Sequence, residues 1–310
     1  MIDIVIIGAG VAGMTAGIYA LRAGKSVTIL ESEGIGGQIA TSPRVENFPS
    51  EKSISGSELS DKIFEQVTAM GAELELERAL SIEKHTDGTF TVHTDGEDKR
   101  CKAVIIASGV KHKKVGVKNE DELEGKGISY CAVCDGAFYK GEEVALLGDA
   151  NTALQYSILL SGYCKKVYVC TWLDKFFGDK ALVDVLLSRN NVEWIKNVNL
   201  TAFEGTNELT ACVFERRDKN NEPFVLNVKA CFVAIGQVPD NASFKDVVDI
   251  DKMGYIIAGE DCRTKTDGVF VAGDCRTKNV RQLTTAVADG ATSAIGACAY
   301  IDRMDANKKN

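Results

Sequence analysis

The chain opens on the apolar run Ile4-Val5-Ile6-Ile7 and turns at once through Gly8-Ala9-Gly10-Val11-Ala12-Gly13. A small-residue helix pattern follows to about Ala23, Gly24 stops it, and Val27-Thr28-Ile29-Leu30 leads into Glu31. Few folds accept this order. A buried strand, a glycine turn, a helix and a second strand ending in an acid make a βαβ unit on a parallel sheet. The glycines have separate jobs. Gly8 permits the tight turn, Gly10 lets the backbone approach a pyrophosphate, and Gly13 lets helix and strand pack closely. The helix N-terminus turns its free N–H groups toward the phosphates. Glu31 is placed to accept hydrogen bonds from a ribose. In this full context the motif reads as a dinucleotide site rather than a glycine-rich turn.

The pattern recurs. Val144-Ala145-Leu146-Leu147 turns at Gly148-Asp149-Ala150 and continues through a helix to Val167-Tyr168-Val169-Cys170. The strand and turn Ala103-Val104-Ile105-Ile106-Ala107-Ser108-Gly109 are echoed by Cys231-Phe232-Val233-Ala234-Ile235-Gly236. The expected fold is therefore α/β, with two Rossmann-like three-layer domains, one inserted into the other. Residues 1–112 and 245–310 are expected to form the first domain and 113–244 the insert. A length of 310 residues suits two domains. Residues 51–75 read as helical, and 76–105 as hairpin strands broken at Asp87-Gly88 and Asp95-Gly96. The final segment carries Gly268-Val269-Phe270-Val271-Ala272-Gly273-Asp274 before a last helix rich in small residues.

Charge and cysteine usage narrow the chemistry. With 36 basic and 44 acidic residues the net charge is −8, which argues against a nucleic-acid partner. No apolar run is long enough to span a bilayer, and no basic leader precedes the first strand, so a cytoplasmic protein is expected. Of ten cysteines only Cys131 and Cys134 have a motif spacing. The others lie in apolar or mixed segments and read as buried thiols. Cys131-Ala132-Val133-Cys134-Asp135-Gly136 can close a reversible disulfide, and Asp135 could shuttle a proton during exchange. Half a zinc site is the competing reading. It would need a second pair at ligand spacing, which neither Cys262 and Cys275 nor the three histidines supply, so no metal is expected.

The order of fingerprint, Cys-x-x-Cys-Asp-Gly, second βαβ unit and C-terminal Gly-Asp resembles the low-molecular-weight thioredoxin reductase flavoproteins over nearly the whole chain. The resemblance implies FAD on the first βαβ unit, contacting Gly8, Gly10, Val11, Ala12, Gly13 and Glu31. It also implies Gly36, Gly37, Gln38 and Asn47 near the flavin and pyrophosphate, with Ala107, Ser108 and Gly109 after the buried strand. Gly273 and Asp274 would hold the ribityl and phosphate region, with Arg281, Gln282 and Leu283 alongside. It implies Cys134 over the flavin, Cys131 attacking thioredoxin, and a homodimer. One dithiol serving both a flavin and a protein disulfide implies rotation of the insert about the crossings near 110–118 and 238–245.

One departure from that family is informative. Members that use NADPH carry a glycine-rich second fingerprint and a run of arginines after its second strand. Here the turn reads Gly148-Asp149-Ala150-Asn151-Thr152-Ala153, and the arginine run is replaced by Thr171-Trp172-Leu173-Asp174-Lys175-Phe176-Phe177. Ala150 puts a methyl where backbone should meet pyrophosphate, and Asp149 adds negative charge there. This combination resembles the ferredoxin-dependent flavin thioredoxin reductases. Ferredoxin gives single electrons, a disulfide needs two, and a flavin can convert between them. The alternatives are a small-molecule dithiol oxidase using oxygen, an NAD(P)H thioredoxin reductase with an atypical nucleotide site, and a redox sensor without turnover. The adjacent Asp135 argues against the last.

Three surface expectations follow. Lys111, Lys113 and Lys114 would form a basic patch for an acidic ferredoxin, at the cofactor end of a window from Lys99 to Lys118 that contains no acid. Trp172, Phe176 and Phe177 would fill the vacated nucleotide site by packing. The acidic run Glu120-Asp121-Glu122-Leu123-Glu124 would be a solvated face.

Overall fold

The computed structural model describes residues 1–42 and 44–307. It divides into two compact units, one of residues 1–44, 48–111 and 238–310 and one of residues 45–47 and 112–237.

The first unit is built on a seven-stranded sheet. Ile2–Ile7 lies between Val27–Leu30 and Lys99–Ile106 and is parallel to both, with Ile4 opposite Val27 and Ala103. Glu73–Glu75 extends one side, and Phe90–Thr94 with Ala79–Lys84 form an antiparallel hairpin on the other. Val269–Val271 returns from late in the chain to pair with Lys99–Ile106 in parallel. Side chains alternate between two buried faces, as a sheet covered on both sides requires. Ile4, Ile6, Ile29 and Ile105 pack under the helices Val11–Arg22 and Leu283–Asn307, while Val5, Ile7, Val104 and Ile106 face Phe244, Val247 and Ile256. The helix expected over 51–75 is Gly56–Ala69, started by Ser55, whose side chain accepts the Glu58 N–H.

The second unit repeats the plan with a five-stranded parallel sheet in the order Val192–Ile195, Lys166–Cys170, Glu143–Leu147, Ala230–Val233, Ile128–Ser129. Helices Asn151–Ser161 and Lys180–Leu187 cover one face. An antiparallel sheet of Val198–Gly205, Leu209–Arg216 and Glu222–Asn227 covers the other, through Phe203 and Phe214. The chain is thus α/β with two Rossmann-like domains, as its repeat implied. The second unit ends at Gln237 rather than at 244. The segment after it belongs to the first unit because Asn241 hydrogen-bonds Ser108 Oγ and the carbonyls of Gly254 and Cys275, and Phe244 enters that unit's core.

No helix among the described residues is long and apolar enough to cross a membrane. The eight cysteines outside the motif are all buried. Burial pushes the Cys101 and Cys262 thiols up to about 12, and raises those of Cys170 and Cys231 well above their ordinary value.

Candidate functional site

In the first unit the candidate residues gather at the carboxyl ends of the central strands, where ligands of doubly wound sheets sit. Gly8 leaves Ile2–Ile7 with φ +108°, and a Cβ there would stand 2.3 Å from Ala107 O. A Cβ on Gly13 would stand 1.9 Å from Gly8 O, so this position sets the helix against the strand. Gly10 behaves differently. It caps the helix with no side-chain partner, and a Cβ there would have nothing nearer than Gly36 O at 4.0 Å. Open space over the first helical turn is what a pyrophosphate needs. Val11 and Ala12 begin that turn.

Glu31 fixes the surrounding loops. Its Oε2 accepts the Ala9 N–H at 2.8 Å, and Oε1 accepts those of Ser32, Glu33 and Gly34. Oε2 keeps acceptor capacity for a hydroxyl donor. Gly36 and Gly37 adopt φ +98° and +62°, and Gly36 N–H donates to Ala9 O at 2.9 Å. Gln38 follows and donates to Val110 O. Ser108 is tied to Asn241 at 2.9 Å, and Gly109 has φ +65°. Residues 45–47, with Asn47 among them, cluster with the second unit.

Gly273 and Asp274 stand at the end of Val269–Val271. Burial raises the Asp274 pKa, opposed by the charges of Lys278 and Arg281, and its Oδ1 is buried without a hydrogen-bond partner. Arg281 donates to Asp274 O at 3.3 Å and lies over the Tyr255 ring at 4.2 Å. Gln282 donates to Arg281 O, and Leu283 starts the last helix. Beneath them is a cluster the sequence reading missed. Asp289, 5% exposed, accepts from Gly273 N, Arg276 and Lys278 at 2.7 to 3.0 Å. Burial disfavours its charge, but Arg276 and Lys278 hold its carboxyl below the ordinary value. An orphaned buried carboxylate oxygen, an open helix N-terminus and an acid with spare acceptor capacity together fit FAD, which offers ribityl and ribose hydroxyls and a pyrophosphate. Gly13→Ala is expected to cost about 1–3 kcal/mol through overpacking. It should also purify with a lower flavin-to-protein absorbance ratio; a wild-type ratio would contradict this role for Gly13.

In the second unit Cys131 and Cys134 form a disulfide across the short helix Ala132–Asp135. Both cysteines are half-buried and Val133 between them is exposed. Cys131 Sγ accepts the Cys134 N–H at 3.2 Å, a contact that would favour a thiolate on Cys131 after reduction. Asp135 Oδ2 accepts from Ser129 Oγ at 2.6 Å. No group of three or more His, Cys, Asp or Glu among the described residues is arranged to hold a metal ion.

Two surface expectations are corrected here. Glu120 is buried, not solvated, and accepts hydrogen bonds from Val115 N, Gly116 N and Tyr130 Oη. Two of the three lysines expected to form the basic patch are paired. Lys111 pairs with Glu33, and Lys114 with Asp121 and Glu124. At the other end of the window Lys99, Arg100 and Lys102 pair with Glu75, Asp87 and Asp3.

The second fingerprint differs from the first in what covers its helix. Ala150 caps Asn151–Ser161. The segment after Lys166–Cys170 then folds back over that end. Phe177 N–H donates to Asp149 O at 2.7 Å, Asp179 N–H donates to Asn151 Oδ1 at 2.7 Å, and Asn151 Nδ2 returns a bond to Asp179 Oδ2 at 3.1 Å. A Cβ on Gly178 would stand 3.2 Å from Asn151 N. Phe176 packs as expected, stacked on Trp194 with centroids 4.5 Å apart. Trp172 and Phe177 do not: they are 51% and 57% exposed, beneath Arg217 and Lys175. This helix end is covered by backbone and Asn151–Asp179 hydrogen bonds, with aromatic packing confined to Phe176.

Residues 2–290 match the family described as pyridine nucleotide-disulphide oxidoreductase. The chain is 38% identical over 300 residues to a Clostridium pasteurianum protein described as "34.2 kDa protein in rubredoxin operon", covering 97% of each. It is 35% identical over 309 residues to the thioredoxin reductase of Bacillus subtilis, covering 99% of this chain and 97% of that one. The crystal structure of thioredoxin reductase from Streptococcus pyogenes superposes with a TM-score of 0.93 at 34% identity, covering 98% of this chain and 99% of that chain.

Proposed function

The chain belongs to the pyridine nucleotide-disulphide oxidoreductase family, as a thioredoxin-reductase-like FAD flavoprotein, and from that premise we propose that it reduces thioredoxin with electrons from reduced ferredoxin rather than from NADPH. One observation carries the second half of this reading. The helix N-terminus that should receive a pyridine nucleotide's pyrophosphate is covered by Phe177–Asp179 of the same chain. Asp149 and Ala150 sit in the turn, and the following segment offers no arginine for a 2′-phosphate. Admitting the nucleotide would mean breaking the Phe177–Asp149 and Asp179–Asn151 bonds and placing phosphate charge beside two carboxylates.

Bound FAD would supply the conversion of single electrons into a two-electron reduction of the disulfide. The chain's own residues do the rest. Gly8 makes the turn, Gly13 seats the helix on its strand and Gly10 leaves the backbone open to the pyrophosphate, Glu31 and Asp274 accept from cofactor hydroxyls, and Asp289 fixes the Gly273–Asp274 turn. Cys131, once reduced, attacks a disulfide of thioredoxin, and Cys134 resolves the mixed disulfide. Asp135 moves a proton between enzyme and substrate sulfurs. A homodimer and a cytoplasmic location belong to the same reading.

The test is anaerobic mixing of the FAD-loaded protein with each donor while flavin absorbance is followed. Reduced ferredoxin should bleach the flavin and sub-millimolar NADPH or NADH should not. Rapid bleaching by NADPH would overturn the reading. Oxygen consumption driven by a small dithiol, with no response to ferredoxin, would replace it with a dithiol oxidase.

A further inference from the structure

Ser129 ends the strand Ile128–Ser129, two residues before the disulfide, and its side chain is buried. Its hydroxyl makes two well-formed contacts. Oγ donates to Asp135 Oδ2 at 2.6 Å and accepts the Cys131 N–H at 3.1 Å. The Cys131 carbonyl, at 3.4 Å, is a weaker acceptor for the single hydroxyl proton. One hydroxyl therefore fixes the acid and the first cysteine's backbone relative to each other. We propose that Ser129 is a positioning residue of thiol exchange, which holds Asp135 ionised and tethered to the backbone of Cys131.

The step it serves balances as follows. Cys131 thiolate attacks one sulfur of a substrate disulfide, the substrate S–S bond breaks, and a Cys131–substrate disulfide forms. Cys134 thiolate then attacks Cys131 Sγ, closing Cys131–Cys134 and releasing the second substrate sulfur. Two electrons leave the enzyme dithiol and two reach the substrate. The two protons lost by the enzyme thiols end on the two substrate sulfurs. A carboxylate near the thiols can take one of them and hand it on, provided it is ionised when the thiol must be deprotonated. A hydroxyl donating to the carboxylate favours that ionised form, and its loss moves the carboxyl pKa up.

Two phenols lie near Asp135. Helix Asn151–Ser161 brings Tyr156, whose phenol pKa is raised by burial and then by the Asp135 charge. Just beyond, Tyr163 approaches Gly136, where a Cβ would meet its hydroxyl at 2.3 Å. Its phenol is pushed up to about 12, first by burial. Both phenols stay neutral while a carboxyl titrates, so the acid limb of thiol exchange belongs to the reduced thiols and Asp135, which the Asp135→Asn background below separates.

The proposal rests on Cys131 and Cys134 being the redox centre, and its test needs no physiological donor. The FAD-loaded full chain is reduced with dithiothreitol, desalted anaerobically and mixed with 5,5′-dithiobis(2-nitrobenzoate) across pH 4 to 8 in single turnover. Ser129→Ala is expected to move the acid limb up by about one pH unit and to slow exchange at its foot by about tenfold. Ser129→Thr should restore the wild-type limb. The pair Ser129→Val and Ser129→Thr, alike in shape and differing in the hydroxyl, makes the comparison if the alanine variant fails to fold. In an Asp135→Asn background the Ser129 substitution should have no further effect on the limb. An unchanged limb in Ser129→Ala or Ser129→Val, with only the melting temperature lowered, would reduce Ser129 to a structural cap and overturn the proposal. Failure of the redox-centre reading looks different: a Cys131→Ser/Cys134→Ser chain would then exchange as fast as wild type.

Discussion

Replacing Asp289 by alanine should lower the unfolding free energy by about 3–5 kcal/mol, the usual cost of removing one partner from a buried ion pair. Arg276 and Lys278 would be left facing a buried gap, and Gly273 N–H would lose its acceptor. For domains of this size that is roughly a 10 °C fall in melting temperature. Flavin retention should fall too, because Asp289 holds the turn that carries Asp274. The pH dependence has a definite sign. The folded Asp289 pKa lies below its ordinary value, so its contribution is complete above the unfolded value near ~3.9. It disappears as the pH falls through the folded pKa. Wild type and variant should thus differ most near neutrality and converge in acid. A variant that melts with wild type at pH 7 would show the cluster to be dispensable.

Cys134→Ser should abolish multiple turnover while leaving one productive attack. Cys131 keeps the N–H donation from position 134, because that contact uses backbone. It can still open a thioredoxin disulfide, but nothing resolves the adduct. The expected result is a stable mixed disulfide of one thioredoxin per chain, visible by mass spectrometry and released by dithiothreitol. Cys131→Ser should give no such adduct. If the adduct forms with Cys131→Ser instead, the two cysteines have exchanged roles.

The parts of this molecule that could be read from sequence are those whose physics is local. The strand Ile2–Ile7 and its glycine turn announce themselves because burial on both faces demands a continuous apolar run, and because Gly8 must take a positive φ. The departure of the second fingerprint from the first is visible in sequence as Asp149 and Ala150. What covers its helix end is not, because the bonds from Phe177 and Asp179 reach back from another loop. Charge was the least legible quantity. The window from Lys99 to Lys118 looks more basic than it is, because the acids paired with four of its residues, Glu33, Glu75, Asp87 and Asp3, lie elsewhere in the sequence. Asp289 reads as an ordinary helical acid until the fold sets it against Arg276 and Lys278. Glu120 sits in a run of acids that gives no sign of which one turns inward. Ser129 resembles any small residue at a strand end, and its meaning comes from a carboxylate six positions later.

The eight sealed thiols have a consequence for a protein that trades disulfides. Exchange needs a deprotonated sulfur within reach of its target. At Cys101 and Cys262 the solvent is excluded and ionisation is suppressed to about pH 12, and burial raises Cys170 and Cys231 well above their ordinary value. The interior can therefore be rich in sulfur without offering a competing acceptor. A mixed disulfide on the surface is insulated from shuffling inward, and the chain cannot be trapped in a wrong pairing by its own turnover. The fidelity of the Cys131–Cys134 couple is thus secured largely by the silence of the other sulfurs.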